Sequence, residues 1–192
     1  MIITLTGPSG SGKSSVVSFM KKKYGADEII STTTRAPRKR EKDGVDYRFI
    51  DAEDFNPKDF FEHTTFEGYQ YGKLKSDIKA AEKDTFENVH FVIVDRKGAN
   101  YYKAHAKNVF TVYIEASPDF AQTHLARRDG KKKARARLEE DAAQGLFCRD
   151  GYDCIVRNDE RMTIASLAYQ IQNFIISLIE RKKYKLLRKE AA

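Results

Sequence analysis

Gly7, Pro8, Ser9, Gly10, Ser11, Gly12, Lys13 and Ser14 satisfy the spacing GxxxxGK[ST], between a strand-like run from Ile2 to Thr6 and a helical stretch from Lys13 to Lys23. Chemically this is a cradle for a polyphosphate. Glycines permit the backbone turns that aim successive amide N–H groups at phosphate oxygens, at the positive end of the following helix. Lys13 is expected to reach the outer phosphates, and the Ser14 hydroxyl to ligate a magnesium ion bridging phosphate oxygens. The expected ligand is a purine triphosphate. A glycine-rich turn with a chance Lys and Ser would not explain why strand and helix flank it in this order.

Hydrolases, motors and kinases all use such a loop, so a second substrate must be sought elsewhere. The stretch STTTRAPRKREKDGVDYRF, from Ser31 to Phe49, packs Arg35, Arg38 and Arg40 around a proline turn and places Tyr47 after a turn at Gly44. Arginine forks match phosphate oxygens two at a time. Taken alone, Glu62 reads as a surface carboxylate at a helix end, and Tyr47 and Tyr71 as half-buried strand aromatics. The run ARRDGKKKARARL, holding Arg127, Arg128, Lys131, Lys132, Lys133, Arg135 and Arg137, reads in isolation as a solvated charge cluster, a nucleic-acid patch or a localisation signal.

The elements that must position these groups follow from apolar patterning. Short β-rich runs at Ile2 to Thr6, Val89 to Val94, Val109 to Glu115 and Cys154 to Val156 alternate with helical stretches at Lys13 to Lys23, Lys97 to Ala106 and Pro118 to Arg128. The runs Val92, Ile93, Val94 and Phe110 to Ile114 are too continuous for a sheet with one wet face, so an α/β layered domain with a parallel sheet is predicted. Between Ser31 and Gly72 short alternating pieces with charged turns predict a small inserted β-rich subdomain. Ile164, Leu167, Ala168, Ile171, Phe174, Ile175, Leu178 and Ile179 recur at three- and four-residue steps and predict one apolar helix face. Beyond it, Arg181 to Lys189 reads as a solvated basic helix end.

At 192 residues the chain suits one domain that buries roughly 70% of its unfolded surface. With 35 Lys and Arg against 28 Asp and Glu, the net charge of +7 favours anionic partners without choosing among nucleotides, nucleic acid and acidic membranes. Two cysteines, Cys148 and Cys154, with no His or Cys cluster beside them, exclude a disulfide framework and argue against zinc; both read as packing residues. MIITLT runs straight into a glycine turn, so no secretory signal is expected, and no apolar stretch approaches the roughly 20 residues that cross a bilayer. A cytoplasmic setting is expected, with no membrane or nucleic-acid partner, as a monomer or homodimer.

In the order and spacing of its blocks the chain resembles the guanylate kinase family, over about residues 1 to 175. GPSGSGKSS, which ends at Ser15, resembles the family's phosphate loop, and Ser31, Arg35 and Arg38 in STTTRAPR its first nucleoside monophosphate block. GVDYRF from Gly44 to Phe49 resembles the next block; FFE ending at Glu62 and GYQYG from Gly68 to Gly72 resemble the pieces that complete a GMP pocket; RND at Arg157 to Asp159 resembles a late strand ending in ND. The resemblance implies an α/β P-loop three-layer fold with a parallel sheet core, a β-rich nucleoside monophosphate-binding insert and a short basic lid. The whole chain, 1–192, is then a single domain, with core 1–30, 88–126 and 138–192, insert 31–87 and lid 127–137.

The implied activity is ATP + GMP = ADP + GDP, with magnesium as cofactor and ATP as co-substrate. ATP would be held by the loop residues Gly7 to Ser15 and by Asn158, and GMP by Ser31, Arg35, Arg38, Tyr47, Glu62, Tyr71, Lys73 and Asp95. Lys13, Arg128 and Arg137 would act on the migrating phosphoryl group. Glu62 would pair two acceptors with the guanine ring N–H and exocyclic amine, donors that adenine lacks. Two positions depart from the family. Lys73 stands where a small hydroxyl residue is usual, and either donates to the guanine exocyclic oxygen or points to solvent. In VIVDRKG, Ile93 replaces one of two acids, while Asp95 keeps the other and touches guanine or a magnesium-bound water, or merely caps the next helix. The rival readings are a kinase of another (deoxy)nucleoside monophosphate or a phosphorylated sugar, and a protein-binding module like the guanylate kinase-like scaffold domains that have lost the loop. Lid and insert are expected to move toward one another on substrate binding.

Overall fold

A computed structural model describes residues 1–39, 41–159 and 161–190, so Arg40 lies outside the described residues. In chain order the first half runs β1 (Ile2–Thr6), α1 (Lys13–Tyr24), β2 (Asp27–Glu28), β3 (Ser31–Thr33), β4 (Tyr47–Phe49), β5 (Phe60–Phe66), β6 (Tyr69–Leu74) and α2 (Lys75–Lys83). The second half runs β7 (His90–Ile93), α3 (Arg96–His105), β8 (Val109–Glu115), α4 (Pro118–Asp129), α5 (Lys131–Ala143), β9 (Cys154–Arg157) and α6 (Ile164–Glu190).

The larger sheet has the order β2-β7-β1-β8-β9 with every pairing parallel. Both faces are covered, which is why its strands read as unbroken apolar runs. Ile3 and Leu5 pack with Val16 and Val17 of α1 and Leu167 and Ile171 of α6, while Ile2 packs with Ile78 of α2, Val92 and Tyr102 of α3. The predicted apolar stripe of the tail is the buried face of α6, seated on α1. Because β1 lies between β7 and β8, the chain leaves it where neighbouring connections part to opposite faces, the usual crevice for ligands in such sheets.

The predicted insert is a second sheet of order β4-β3-β6-β5. Its registers put Ser31 beside Tyr47, Thr33 beside Tyr71 and Glu62 beside Lys73. Glu67 and Gly68, at φ 51 and 79, make the tight turn between β5 and β6. Glu62 therefore stands on a strand and not at a helix end. The helix α2, unmarked in the sequence because only Ile78 and Ala81 are buried along it, closes the insert.

Residues 127–137, expected as a lid, form the last turn of α4 and the first half of α5, broken only at Gly130, where φ is 86. Both cysteines are free and partly buried. Among the described residues no helix is long and apolar enough to cross a membrane.

Candidate active site

The loop from Gly7 to Gly12 lies at the carboxyl end of β1. At all three of its glycines only glycine fits: a Cβ on Gly7, at φ 143, would meet the Ile114 carbonyl at 2.3 Å, one on Gly10, at φ 80, the Ala121 carbonyl at 2.7 Å, and one on Gly12, at φ 96, Asn158 Nδ2 at 2.9 Å. Gly12 is also the residue from which α1 starts. Lys13 folds back over the loop, its Nζ donating to the carbonyls of Gly7 and Pro8 at 2.7 and 2.9 Å. Burial pulls its pKa down to about 8, opposed by the negative charge of Asp141. Ser11 Oγ is buried with no hydrogen-bond partner, a polar atom left for something the loop is shaped to hold.

Asn158, expected at the nucleotide, is buried beneath the loop, where Nδ2 donates to the Ser11 carbonyl at 2.8 Å. It fixes the loop's shape. Ser14 and Ser15 are exposed on the first turn of α1. The donor set fits magnesium: a hydroxyl beside a phosphate cradle is the hard oxygen that this ion takes together with phosphate oxygens and waters.

On the insert a second group of cationic and aromatic side chains comes together. Arg35 is 7% exposed; its guanidinium lies 5.3 Å from the Tyr47 ring centre, and the Tyr47 and Tyr71 rings meet edge to face at 6.2 Å. Both tyrosines are half-buried strand residues, as expected. The two arginines are held by Glu41, which the sequence analysis passed over. Its carboxylate accepts from Arg35 Nη2 at 2.8 and 3.0 Å, from Arg38 Nη1 at 3.2 Å and from the Arg38 N–H at 2.8 Å. Burial alone would raise the Glu41 pKa, but these donors outweigh it and hold the carboxyl below its ordinary value. Among the described residues, Arg35 Nε is buried and has no hydrogen-bond partner.

A cavity of about 810 Å³ opens between β5, α2 and α3, with Glu62 and Asp95 in its wall beside Phe61 and Tyr101. It is large enough for a purine. Asp95 Oδ1 accepts from the Gly98 N–H at 2.7 Å, so the helix-capping role is real and uses one of its two oxygens. Burial raises the Glu62 pKa, the Asp95 charge raises it further, and Lys73 opposes both. Of the two courses open to Lys73, the solvent-facing one is not taken. Its side chain is 4% exposed and Nζ donates to the Ile29 carbonyl at 2.9 Å, while burial pulls its pKa down. A lysine can sit there because the charges of Glu28 on β2 and Glu62 on the facing strand, with a carbonyl from the loop after β2, offset its desolvation.

The lid arginines are engaged within the protein. Arg128 Nη2 pairs with Asp129 at 2.7 Å, and Arg137 reaches Glu67 at 3.2 Å and Asp129 at 3.8 Å while lying 5.2 Å over the Phe66 ring. Lid and insert already touch at the tip of the β5–β6 hairpin. Glu41, Glu67, Asp129 and Asp141 carry no motif of their own; the first three lie within or next to a basic run or turn of the sequence, and Asp141 lies three positions past one.

The model of a family described as guanylate kinase matches residues 1–175. A guanylate kinase of Fusobacterium nucleatum is 32% identical over 190 residues, spanning 93% of this chain and 95% of that one, and a guanylate kinase of Chlorobaculum tepidum is 32% identical over 91% and 93%. The crystal structure of a guanylate kinase from Anaplasma phagocytophilum superposes with a TM-score of 0.69 at 26% identity, covering 92% of this chain and 85% of that one. A gluconokinase from Sinorhizobium meliloti shares the fold alone, with a TM-score of 0.51 at 14% identity over 96% of each chain.

Proposed function

The chain belongs to the guanylate kinase family, and from that premise we propose that its facing anion sites perform one reaction, transfer of the γ-phosphoryl group of ATP to GMP to give ADP and GDP. The observation that carries this reading is the presence in one domain of a phosphate loop, with Lys13 folded over it, and of an arginine pair on the insert, buried Arg35 with exposed Arg38, gathered on Glu41.

Phosphoryl transfer asks the protein mainly to align two nucleotides and spread charge, because its loose transition state offers little covalent chemistry to assist. Loop amides and Lys13 hold the donor phosphates; Ser14 would hold magnesium, which when bound supplies charge neutralisation between phosphate oxygens. Arg35, Arg38, Tyr47 and Tyr71 hold the acceptor phosphate, with Ser31 beside Tyr47 on the neighbouring strand. Glu62 takes the guanine ring N–H and exocyclic amine, with Asp95 and Lys73 at its side. One acceptor-phosphate oxygen forms a bond to the γ-phosphorus as the bond to the β,γ-bridging oxygen breaks and ADP leaves. That attacking oxygen is already anionic, so no general base is required. Arg128 and Arg137, released from Asp129 and Glu67, neutralise charge on the moving group.

A coupled assay across GMP, dGMP, AMP, CMP and UMP tests the reading. Turnover with GMP at least a hundredfold above AMP, lost in Lys13→Ala, is expected. Comparable rates on all five would defeat the role given to Glu62, and no turnover on any would favour a binding module.

A further inference from the structure

Asp141 of α5 is 1% exposed, and its hydrogen-bond partners belong to the phosphate loop. Oδ2 accepts from the Ser9 N–H, and Oδ1 from the Ser9 hydroxyl at 3.1 Å. Its charge also acts on Lys13. A carboxylate is thus seated among a loop amide, a loop hydroxyl and the loop lysine, the three kinds of group that suit a phosphate oxygen. The acceptor cradle repeats the arrangement, with Glu41 on Arg35 and Arg38.

One turn earlier on the same side of α5, Arg137 reaches Glu67 and Phe66 at the hairpin tip of the insert. The helix α5 therefore ties the donor loop at one point and the acceptor insert at another. The Ser9 N–H and hydroxyl are both spent on the Asp141 carboxylate, so a donor phosphate oxygen that takes them displaces it.

Resting on the reading of the loop as the donor site, we propose that Asp141 is an internal anion that gates it. The carboxylate holds Ser9 until a nucleoside triphosphate arrives; the donor's outer phosphate then takes its place, and α5 is released together with Arg137. A loop closed by its own carboxylate for part of the time binds donor more weakly than an open one, in proportion to the open fraction. Donor binding in turn sets when Arg137 leaves Glu67 for the migrating phosphoryl group.

The alternative is that Asp141 merely props the loop, and the two ideas predict opposite signs. Titration calorimetry with the magnesium complex of the β,γ-imido analogue of ATP, on the wild type and Asp141→Asn, decides between them. Asparagine keeps an oxygen that accepts from the Ser9 N–H but removes the charge. The expected result is a Kd five- to twentyfold lower in D141N; a Kd unchanged or higher overturns the proposal. Glu67→Gln tests it at the Arg137 contact, one turn along α5 and away from the loop, and is expected to tighten the analogue two- to fivefold, whereas no change contradicts the coupling. Absence of heat in the wild type and all variants would overturn the donor-site reading itself, and the gate with it.

Discussion

Arg35 Nη2 donates to both carboxylate oxygens of Glu41, at 2.8 and 3.0 Å, on the insert beside the Tyr47 ring. Arg35 is buried and Glu41 partly so, and Glu41→Gln leaves the guanidinium short of a counter-charge, at a cost on the order of 1 to 3 kcal/mol of stability. GMP brings the missing anion. Thermal melts of Glu41→Gln should therefore start below the wild type and gain more from saturating GMP than the wild type does; an equal gain would remove Glu41 from the acceptor cradle.

Asn158→Ala deletes the donor to the Ser11 carbonyl and leaves that oxygen unpaired below the loop. The expected loss is about 1 to 2 kcal/mol of stability. In steady-state kinetics the KM for ATP should rise severalfold while the KM for GMP stays put. A rise confined to GMP would place Asn158 in the wrong half of the cleft.

Much of this was legible in the sequence, and the reason is local. The loop residues Gly7 and Gly12 are dictated by backbone geometry that only glycine tolerates, so their spacing carries structure directly. Strand β8 appears at its predicted bounds because both its faces are buried. What stayed hidden depends on contacts between distant residues. Asp141 lies 132 positions from Ser9 and Glu67 70 positions from Arg137, so neither pairing leaves a pattern along the chain. The helix α5 was masked by its Lys and Arg content, with only Ala134 and Asp141 buried. Lys73 could be resolved only by its cross-strand neighbour Glu62 and the Ile29 carbonyl.

The pH dependence has two limbs of opposite origin. The Glu62 pKa is raised by burial and by Asp95, so its ionised form, the one that accepts from guanine, is lost as pH falls at values where an ordinary carboxylate would still be charged. Lys13 is lowered to about 8, so its ammonium form in the free enzyme is lost as pH rises past that value. Accordingly kcat/KM for GMP should fall on the acid side of neutrality and kcat/KM for ATP should fall above pH 8. Profiles flat from pH 6 to 9 for both substrates would contradict these environments.

Lys73→Met keeps a similar volume but removes the positive charge that opposes the rise in the Glu62 pKa. The acid limb for GMP should then move to higher pH while the alkaline limb for ATP stays in place. An acid limb that does not move would uncouple Lys73 from Glu62.

Arg137 is held by Glu67 and Asp129 before transfer and is assigned to the migrating group during it. Arg137→Ala should lower kcat by about a hundredfold or more, with smaller changes in either KM. Loss expressed wholly in KM would make it a binding residue instead.

The central claim is that two nucleotides lie phosphate to phosphate between Lys13 and Arg35. A single molecule in which adenosine and guanosine are joined through five phosphates spans both sites at once, and its Kd can be measured by calorimetry beside those of ATP and GMP. Linking makes the second contact intramolecular, so the account predicts binding at least a hundredfold tighter than either nucleotide alone, reduced towards ATP-like affinity by Arg35→Ala. Binding no tighter than ATP in the wild type would contradict it.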